Sequence, residues 1–312
     1  MYDLIGDIHG YATPLKRLLT KMGYAQRDGV WQHPQRKVIF LGDFVDRGRE
    51  QVESVRVART MVESGNALAV MGNHEFNAVA WATPDPDHPG EHLRRHSPKN
   101  RSQHKEYLSQ VVESSDQDRD IIAWFKTLPL YLDLDGLRIV HACWHPQSLK
   151  ELTQFTDSKN RILPNAWPAL AHKGKAYDAL ETVLKGLEIP LPDGYEFADK
   201  DGNPRHHIRT RWWESEGVTY HDLALVGPEV IDRIPNISVP AGLLPGYDDK
   251  KPLFLGHYWL TGEPAILNKH IACLDYSIAA EDTSSAQEDG KLCAYRWQGE
   301  AELSTQQFVW TH

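Results

Sequence analysis

The stretch that decides the fold is YDLIGDIHG at residues 2–10, in which a short apolar run precedes a glycine, an aspartate and a histidine. Short, nearly continuous apolar runs are typical of strands that are buried on both faces. Gly6 lets the backbone turn sharply after the strand. Asp7 and His9 flank one residue, so an extended turn points both side chains in the same direction. The segment therefore predicts a buried strand that ends in two metal-binding side chains.

The same pattern returns four more times along the chain. An apolar run precedes a metal-capable side chain at 38–41 before Asp43, at 68–71 before Asn73, at 137–140 before His141 and at 253–255 before His257. Helical spacing of apolar residues at 15–22 and 52–62 predicts strand, helix, strand, helix, strand over the first 75 residues. This order indicates parallel strands, whose ligand sites lie beyond their carboxyl ends. We therefore expect the five polar clusters to converge.

Composition limits the classes of protein that the chain can represent. Its 312 residues are 41% hydrophobic and 25% charged, which excludes a disordered or fibrous protein. The net charge of −9 argues against extended binding to nucleic acid, which needs a basic face. Three cysteines are too few for a disulfide framework, and no apolar run reaches the ~20 residues of a membrane helix. With no signal-peptide pattern at residue 1, we expect a cytoplasmic protein without membrane contact, and the oligomeric state stays open.

The domain organisation is predicted as one domain over residues 1–312, with cap or lid insertions at 80–130 and 146–250. The first insertion combines a loop rich in Pro and His at 80–100 with one or two helices at 103–127. The second has no metal-capable strand end, and it contains a predicted helix at 175–186, a hairpin around Asp201-Gly202-Asn203 and a long loop at 234–252. Apolar runs at 265–267, 271–274 and 292–297 predict antiparallel strands of a second sheet.

Oxygen and imidazole donors make up the predicted metal site. Its six ligands are Asp7, His9, Asp43, Asn73, His141 and His257. This mixture without a thiolate suits manganese, iron or zinc better than calcium or a structural zinc ion. Six donors are too many for one catalytic metal with open positions, but they suit two ions about 3.5–4 Å apart with a bridging carboxylate. Asp43 is the natural bridge.

These motifs resemble the calcineurin-like metallophosphoesterases. The matching segments are GDIHG at 6–10, GDFVDRG at 42–48, GNHE at 72–75, the strand-end His141 and GH at 256–257, all in the order of that family. They are most similar to its PPP-type branch, which includes protein serine/threonine phosphatases and bacterial symmetrical bis(5′-nucleosyl)-tetraphosphatases. Many eukaryotic members have two glycines after the histidine, whereas Ala142 and Cys143 follow His141, which favours the bacterial branch.

The resemblance implies an α/β fold: a layered metallophosphoesterase fold with two central mixed sheets flanked by helices and with lid insertions. It also implies two divalent metal ions, manganese first, with iron, zinc, nickel or cobalt as alternatives. The first ion would bind Asp7, His9 and Asp43. The second would bind Asp43, Asn73, His141 and His257. A water or hydroxide between the ions would attack phosphorus in line.

Three further residues take catalytic roles by the same resemblance. His74 would protonate the leaving oxygen, and Asp46 would orient its imidazole. Arg47 would bind phosphate oxygens and stabilise the transition state, with Asn73 also contacting the substrate. A second substrate arginine has no motif. We predict Arg211, because RTRWW at 209–213 follows the predicted hairpin and its alternation puts both arginines on one face.

The leading hypothesis is a dinuclear-metal phosphatase that hydrolyses phosphomonoesters of phosphoproteins or small molecules. Three alternatives stay open: a symmetrical dinucleoside tetraphosphate hydrolase, a phosphoesterase that processes nucleic-acid ends, and a non-catalytic metal-dependent binding module. The charge of −9 argues against the nucleic-acid enzyme. The binding module predicts degenerate metal ligands, and none of the six ligand positions is degenerate.

Overall fold

Two mixed β-sheets form the centre of the protein, whose computed structural model describes residues 1–198, 203–214, 218–282 and 290–312. The six-stranded sheet has the order Asp275–Tyr276, Lys291–Trp297, Tyr2–Ile5, Lys37–Phe40 and Ala67–Ala69, with Phe308–Thr311 also paired to Lys291–Trp297. The four-stranded sheet has the order Ile271–Cys273, Leu253–Leu255, Arg138–Val140 and Tyr131–Asp133. The predicted α/β class with two central mixed sheets is confirmed.

The first 75 residues adopt the predicted alternation of strands and helices. Strands Tyr2–Ile5, Lys37–Phe40 and Ala67–Ala69 are parallel. Helices Ala12–Lys21 and Gln51–Glu63 connect them, and the apolar residues at helical spacing are mostly buried. The strands are buried on both faces because the helices cover one face and the four-stranded sheet covers the other.

Apolar side chains from both sheets form one buried cluster between them. Leu4, Ile39 and Leu41 come from the six-stranded sheet and its strand ends, and Ile139 and Phe254 come from the four-stranded sheet. Removal of these side chains from water favours the stacked arrangement. The stacking brings His141 and His257, which follow parallel strands of the second sheet, near the strand ends of the first.

The predicted antiparallel sheet after residue 260 is correct for the strand at 292–297 and wrong for the runs at 265–267 and 271–274. Ile271–Cys273 pairs in parallel with Leu253–Leu255, whereas Lys291–Trp297 pairs antiparallel with Tyr2–Ile5 in the other sheet. Residues 265–267 form no strand, because the backbone N–H of Ala265 donates to the Tyr276 hydroxyl instead of to a neighbouring strand. Apolar runs predicted these strands but carried no information about their partners.

Helices and short strand pairs surround the two sheets. The remaining helices are Asn73–Ala82, Pro98–Gln103, Lys105–Gln110, Asp116–Phe125, Pro146–Leu152, Trp167–Ala171, Lys175–Lys185, Tyr220–Leu223 and Pro228–Ile231, with 3-10 turns at Ile278–Asp282 and Thr305–Gln307. The short pairs are Ala25–Arg27 with Val30–Gln32, Glu188–Pro190 with His207–Arg209, and Phe197–Ala198 with Pro204–Arg205. Within the described part of the chain, no helix has the length and apolarity to cross a bilayer.

The second insertion contains a small hydrophobic cluster of its own, which includes Ile189, Ile208 and Leu223. The residues 199–202 of the predicted hairpin turn lie outside the described residues, although the strands on either side of them pair. Residues 234–252, all described, contain no helix or strand, as expected of a long loop. The division into one domain with insertions at 80–130 and 146–250 stays a prediction.

A buried ionic network ties the first strand to the rest of the six-stranded sheet. The Asp3 carboxylate accepts hydrogen bonds from Arg36 Nε at 2.9 Å, from the Tyr24 hydroxyl at 2.9 Å and from Arg296 Nε at 3.2 Å. Asp3 is fully buried, and Arg36 also donates to the carbonyl of Trp297. A buried charge that loses its partner has a large desolvation cost that nothing offsets.

We expect Asp3→Ala to lower the free energy of unfolding by about 3–5 kcal/mol, because it leaves the guanidinium of Arg36 buried without a carboxylate. Urea unfolding followed by tryptophan fluorescence measures this loss. The control is Glu302→Ala, which removes an exposed pair with Lys269 and should change stability by less than about 0.5 kcal/mol. Equal effects of the two variants would show that the buried network does not stabilise the fold.

Candidate metal centre

Asp43 lies at the centre of the predicted metal site. Its Oδ2 atom is 3.8 Å from His9 Nε2, 3.3 Å from His141 Nε2 and 3.9 Å from His74 Nε2. These side chains follow strands of both sheets, and the loops after the strands bring them together. We call the six predicted ligands, Asp7, His9, Asp43, Asn73, His141 and His257, the Asp43 site.

Two groups of donor atoms share the Asp43 carboxylate. His9, Asp43 and His74 form one group, and Asp43, His141 and His257 form the other, with the donor atoms of each group within 4.8 Å of one another. The Oδ1 atom of Asn73 is 3.2 Å from His141 Nε2, on the side of the second group. A carboxylate common to two donor groups is the arrangement that a pair of bridged cations requires.

The histidine rings are oriented as metal ligands. Nδ1 of His9 is 3.0 Å from the carbonyl of Val45, and Nδ1 of His141 is 2.7 Å from the carbonyl of Leu41. Because a carbonyl can only accept, each Nδ1 donates its proton and each Nε2 faces Asp43. His9 Nε2 and Asp7 Oδ1 are buried and have no hydrogen-bond partner among the described residues. Buried lone pairs without a donor fit a bound cation.

Close backbone approaches hold Asp7 and His257 together. The Asp7 carboxylate accepts a hydrogen bond from the backbone N–H of His257 at 3.0 Å. A Cβ atom at Gly256 would lie 2.1 Å from Asp7 Oδ1, so only glycine fits there. Asp275 is buried beneath this loop and accepts the backbone N–H of Trp259 at 2.8 Å. Asp275 therefore holds the loop that carries His257.

Strained backbone and a buried glutamate shape the loop around Asp43. His9, Asp43, Asp46 and His257 have positive φ angles of 50°, 51°, 88° and 71°, a region that residues other than glycine rarely adopt. Glu75 accepts hydrogen bonds from the backbone N–H groups of Asp43 at 2.8 Å, Phe44 at 2.7 Å and Gly72 at 2.9 Å. These bonds stabilise the strained loop and connect it to the helix that begins at Asn73.

The ionisable groups of the Asp43 site shift in both directions: burial lowers the pKa of His9 to about 4 and that of His257 well below its usual range, whereas the carboxylates act in the opposite sense. Burial would raise the pKa of Asp43, but His141 and His74 hold it well below its usual range. Burial lowers the pKa of His141, but the neighbouring Asp43 raises it, and the net effect is a rise to about 10. Burial and the neighbouring Asp275 raise the pKa of Asp7 well above its usual range. The carboxylates thus stabilise a cation among the imidazoles.

Side-chain contacts link His74 to Asp46 and, through Asp46, to His104. His74 Nδ1 is 2.7 Å from Asp46 Oδ2, and the buried His104 places its Nδ1 2.5 Å from Asp46 Oδ1. Burial lowers the pKa of His74, but Asp43 and Asp46 raise it, and the net shift is upward. His74 can therefore hold a proton at Nε2, the nitrogen that Asp46 does not occupy.

A cavity of about 1380 Å³ opens from this cluster and contains two arginines that sequence analysis considered. Arg47 lines it, with its guanidinium 5.6 Å from the ring centre of Trp259. Arg209 also lines it and places Nη1 3.3 Å from His257 Nε2. Arg211 is exposed and does not belong to the lining. The structure does not support Arg211 as the second substrate arginine, because the strand ends at Arg209 and alternation stops there.

Sequence analysis assigned no role to four residues of this region: His104, Arg209, Trp259 and Asp275. Asp275 had a detectable signal, since it follows the apolar run 271–274 in the same way as the five predicted clusters. Arg209 was considered with Arg211, but the end of its strand was not predicted. His104 and Trp259 belong to no motif. Of the other predicted residues, Asp43, Asp46, Arg47, Asn73, His74 and His257 line the cavity, whereas Asp7, His9 and His141 are buried behind this lining.

Comparison with known proteins places these features in a family. A model of the calcineurin-like phosphoesterase family matches residues 2–209. The chain is 28% identical over 141 residues, 45% of its length, to the asymmetrical bis(5′-nucleosyl)-tetraphosphatase PrpE of Oceanobacillus iheyensis, of which it covers 54%. It is 30% identical over 212 residues, 61% of its length, to the symmetrical bis(5′-nucleosyl)-tetraphosphatase of Hamiltonella defensa, of which it covers 68%.

The extent of these matches is limited in length and in identity. The chain spans about half the length of the first curated relatives that it matches. A solved structure of a cold-active protein-tyrosine phosphatase from a psychrophilic Shewanella species has the same fold, with a TM-score of 0.51 and 16% identity over 95% of this chain and 75% of that one.

Proposed function

Because this chain belongs to the calcineurin-like phosphoesterase family, whose model covers residues 2–209, we propose that it uses two divalent metal ions to hydrolyse a small molecule that carries several phosphate groups. The broader activity class, hydrolysis of a bond between phosphorus and oxygen, is that of the family. In a dinucleoside tetraphosphate the bond that is cleaved is a phosphoanhydride. The proposal also includes the substrate, the number of ions, the preference for manganese and a cytoplasmic location.

The observation that carries the substrate proposal is the basic lining of the large cavity. Its cationic side chains include Arg47, Arg94, Arg95, Lys99, Lys173 and Arg209. Five carboxylates also line the cavity, but the cationic side chains outnumber them, in a chain whose net charge is −9. The cavity volume of about 1380 Å³ exceeds the roughly 300–1,000 Å³ that drug-sized ligands need. A single phosphate group would leave most of these cations unused, whereas a dinucleoside tetraphosphate would engage several of them.

The residues of the chain have separate tasks in this reaction. When bound, the metal ions lower the pKa of a coordinated water and polarise the phosphoryl oxygen. The Asp43 site would hold the two ions, with Asp43 as the residue common to both donor groups. Arg47 and Arg209 bind phosphate oxygens and stabilise the added negative charge of the transition state. His74, oriented by Asp46, donates a proton from Nε2 to the leaving oxygen.

Phosphomonoesters, favoured by the sequence analysis, are the second candidate class. The two donor groups that share Asp43 support phosphomonoesters equally well, because the ions that they would hold act on the phosphoryl group alone. The cationic lining distinguishes the two classes, because it extends beyond one phosphate position to Arg94, Arg95 and Lys173.

Product analysis with defined substrates tests the proposal. The manganese-loaded protein is incubated with diadenosine tetraphosphate, p-nitrophenyl phosphate or a phosphopeptide, and the products are separated by anion-exchange chromatography. We expect a kcat/KM for the dinucleotide at least about tenfold above the others, a difference of about 1.4 kcal/mol. Two ADP molecules indicate symmetrical cleavage, and ATP with AMP indicates asymmetrical cleavage. Preference for a monoester would refute the substrate class, and no turnover of any substrate would refute the hydrolase.

Arg209→Ala is expected to lower kcat/KM for diadenosine tetraphosphate by about 10²-fold, because it removes a charged donor that faces the transition state. The neighbouring Arg211→Ala is the matched control, since Arg211 is exposed outside the cavity, and its effect should be small. Steady-state kinetics with metal content measured for both variants checks this. The reverse ranking would restore Arg211 as the substrate arginine.

A further inference from the structure

A second cluster of metal-binding side chains lies apart from the Asp43 site, between the two predicted insertions. Asp85 comes from the loop after helix Asn73–Ala82, together with His88, and His172 comes from the segment before helix Lys175–Lys185. Asp85 Oδ2 is 2.9 Å from His88 Nδ1 and 2.9 Å from His172 Nε2. Donor atoms of all three residues lie within 4.8 Å of one another.

Burial and orientation distinguish this cluster from an ordinary surface ion pair. The side chain of Asp85 is only 5% exposed, whereas those of His172 and His88 are 34% and 61% exposed, so a buried carboxylate meets two imidazoles that open to solvent. The other nitrogen of His172, Nδ1, is 3.6 Å from the Asp87 carboxylate. A histidine with one nitrogen toward a shared centre and the other toward a carboxylate is the usual arrangement of a metal-ligating imidazole.

We infer that Asp85, His88 and His172 form a zinc site, distinct from the Asp43 site. Two imidazoles and a carboxylate are suitable zinc ligands, and a water molecule would supply the fourth position. Ligand atoms of a tetrahedral zinc ion lie roughly 3.4 Å apart, so each 2.9 Å contact needs to open by only about 0.5 Å.

The position of the cluster indicates what a bound ion would do. Asp85 and His172 are 87 residues apart in the sequence. The residues that follow each of them in the chain line the basic cavity. Leu93, Arg94 and Arg95 follow the first segment, and Lys173 and Tyr177 follow the second. Zinc therefore connects two neighbouring segments of the cavity wall and stabilises the arrangement of Arg94, Arg95 and Lys173.

Metal content of matched variants tests the site. The protein is stripped of metal with a chelator, loaded with zinc, desalted, and analysed by inductively coupled plasma mass spectrometry. We expect the parent protein to retain one more zinc per chain than His172→Gln or His88→Gln. Glutamine can still donate a hydrogen bond to Asp85 but is a poor zinc ligand. These variants therefore separate a zinc site from a cluster held only by hydrogen bonds.

The control is His206→Gln, which changes an exposed histidine outside the cluster and should keep the zinc content of the parent. Circular dichroism without zinc verifies that each variant folds. Equal zinc content in the parent, His88→Gln and His172→Gln overturns the proposal, as does an equal loss in His206→Gln. Because the readout is metal content, this proposal can fail while the hydrolase proposal stands, and the reverse also holds.

Two further measurements test the details of the site. Asp87→Asn should weaken zinc binding by about tenfold in a chelator competition, since it removes the carboxylate that faces His172 Nδ1. Zinc should slow amide hydrogen exchange at residues 84–95 and 171–177 in the parent protein but not in His172→Gln. Unchanged exchange in the parent would refute the connection between the two segments.

Discussion

Asp43→Asn should lower kcat by about a thousandfold or more with every phosphate substrate. Its Oδ2 atom belongs to both donor groups of the Asp43 site, so the neutral amide weakens the binding of both proposed ions at once. Several kcal/mol of charge stabilisation in the transition state come from such ions, and each 1.4 kcal/mol is about tenfold in rate. No single other side chain of the described site is shared by both groups.

The substitution is chosen so that loss of activity reflects metal binding and not misfolding. Asparagine has the size of aspartate, and its carbonyl oxygen can keep the 3.0 Å hydrogen bond from the His74 backbone N–H. Metal content by mass spectrometry and turnover of diadenosine tetraphosphate and p-nitrophenyl phosphate are measured on the same preparations. The control is Asp135→Asn, an exposed turn residue. Full activity in Asp43→Asn would exclude a bridged pair of ions at this carboxylate.

His74→Asn should lower kcat by about 10²–10⁴-fold while the metal content stays unchanged. General acid catalysis contributes a factor of this size, and Asp43 and Asp46 raise the pKa of His74 against the effect of burial, so its imidazole holds the proton to be donated. The loss should be smaller for p-nitrophenyl phosphate than for a phosphoserine peptide under metal-saturating conditions, because p-nitrophenolate leaves readily without a proton whereas a serine alkoxide does not.

Metal analysis of the same variant distinguishes the two roles that the geometry allows. His74 lies in a donor group with His9 and Asp43, with its Nε2 3.9 Å from Asp43 Oδ2. Replacing a side chain that only donates a proton leaves both ions bound, whereas replacing a metal ligand releases an ion. Loss of one ion from His74→Asn would therefore assign His74 to metal binding. His206→Asn, an exposed change, serves as the control and should retain the activity of the parent.

The strained loops hold the donor atoms of the Asp43 site close together. Four residues of the site have positive φ angles, and such conformations persist only where the surroundings determine them. Glu75 and Asp275 do this through hydrogen bonds to the backbone N–H groups of Asp43 and Trp259. Pre-formed ligand geometry lowers the conformational cost of metal binding. Both carboxylates are thus positioning residues.

The sequence alone determined the features that depend on neighbours along the chain. A buried strand followed by glycine and a donor is a local pattern, so the strands before Asp7, Asp43, Asn73, His141 and His257 could be predicted with errors of one or two residues. Because parallel strands end at one edge, the convergence of the donors within each sheet followed from the same pattern, whereas the donors of the two sheets meet only because the sheets stack. The α/β class and the resemblance to the metallophosphoesterases needed no tertiary information.

Tertiary structure decided every feature that depends on residues far apart in the chain. His104 meets Asp46 across 58 residues, Arg209 meets His257 across 48, and Asp85 meets His172 across 87. No periodicity links such positions, since their contacts depend on how loops close and sheets stack. The same reason explains why Arg209 and not Arg211 lines the cavity, and why the strands after residue 270 join different sheets. Local patterns determine which elements form, whereas packing between distant segments determines which side chains meet.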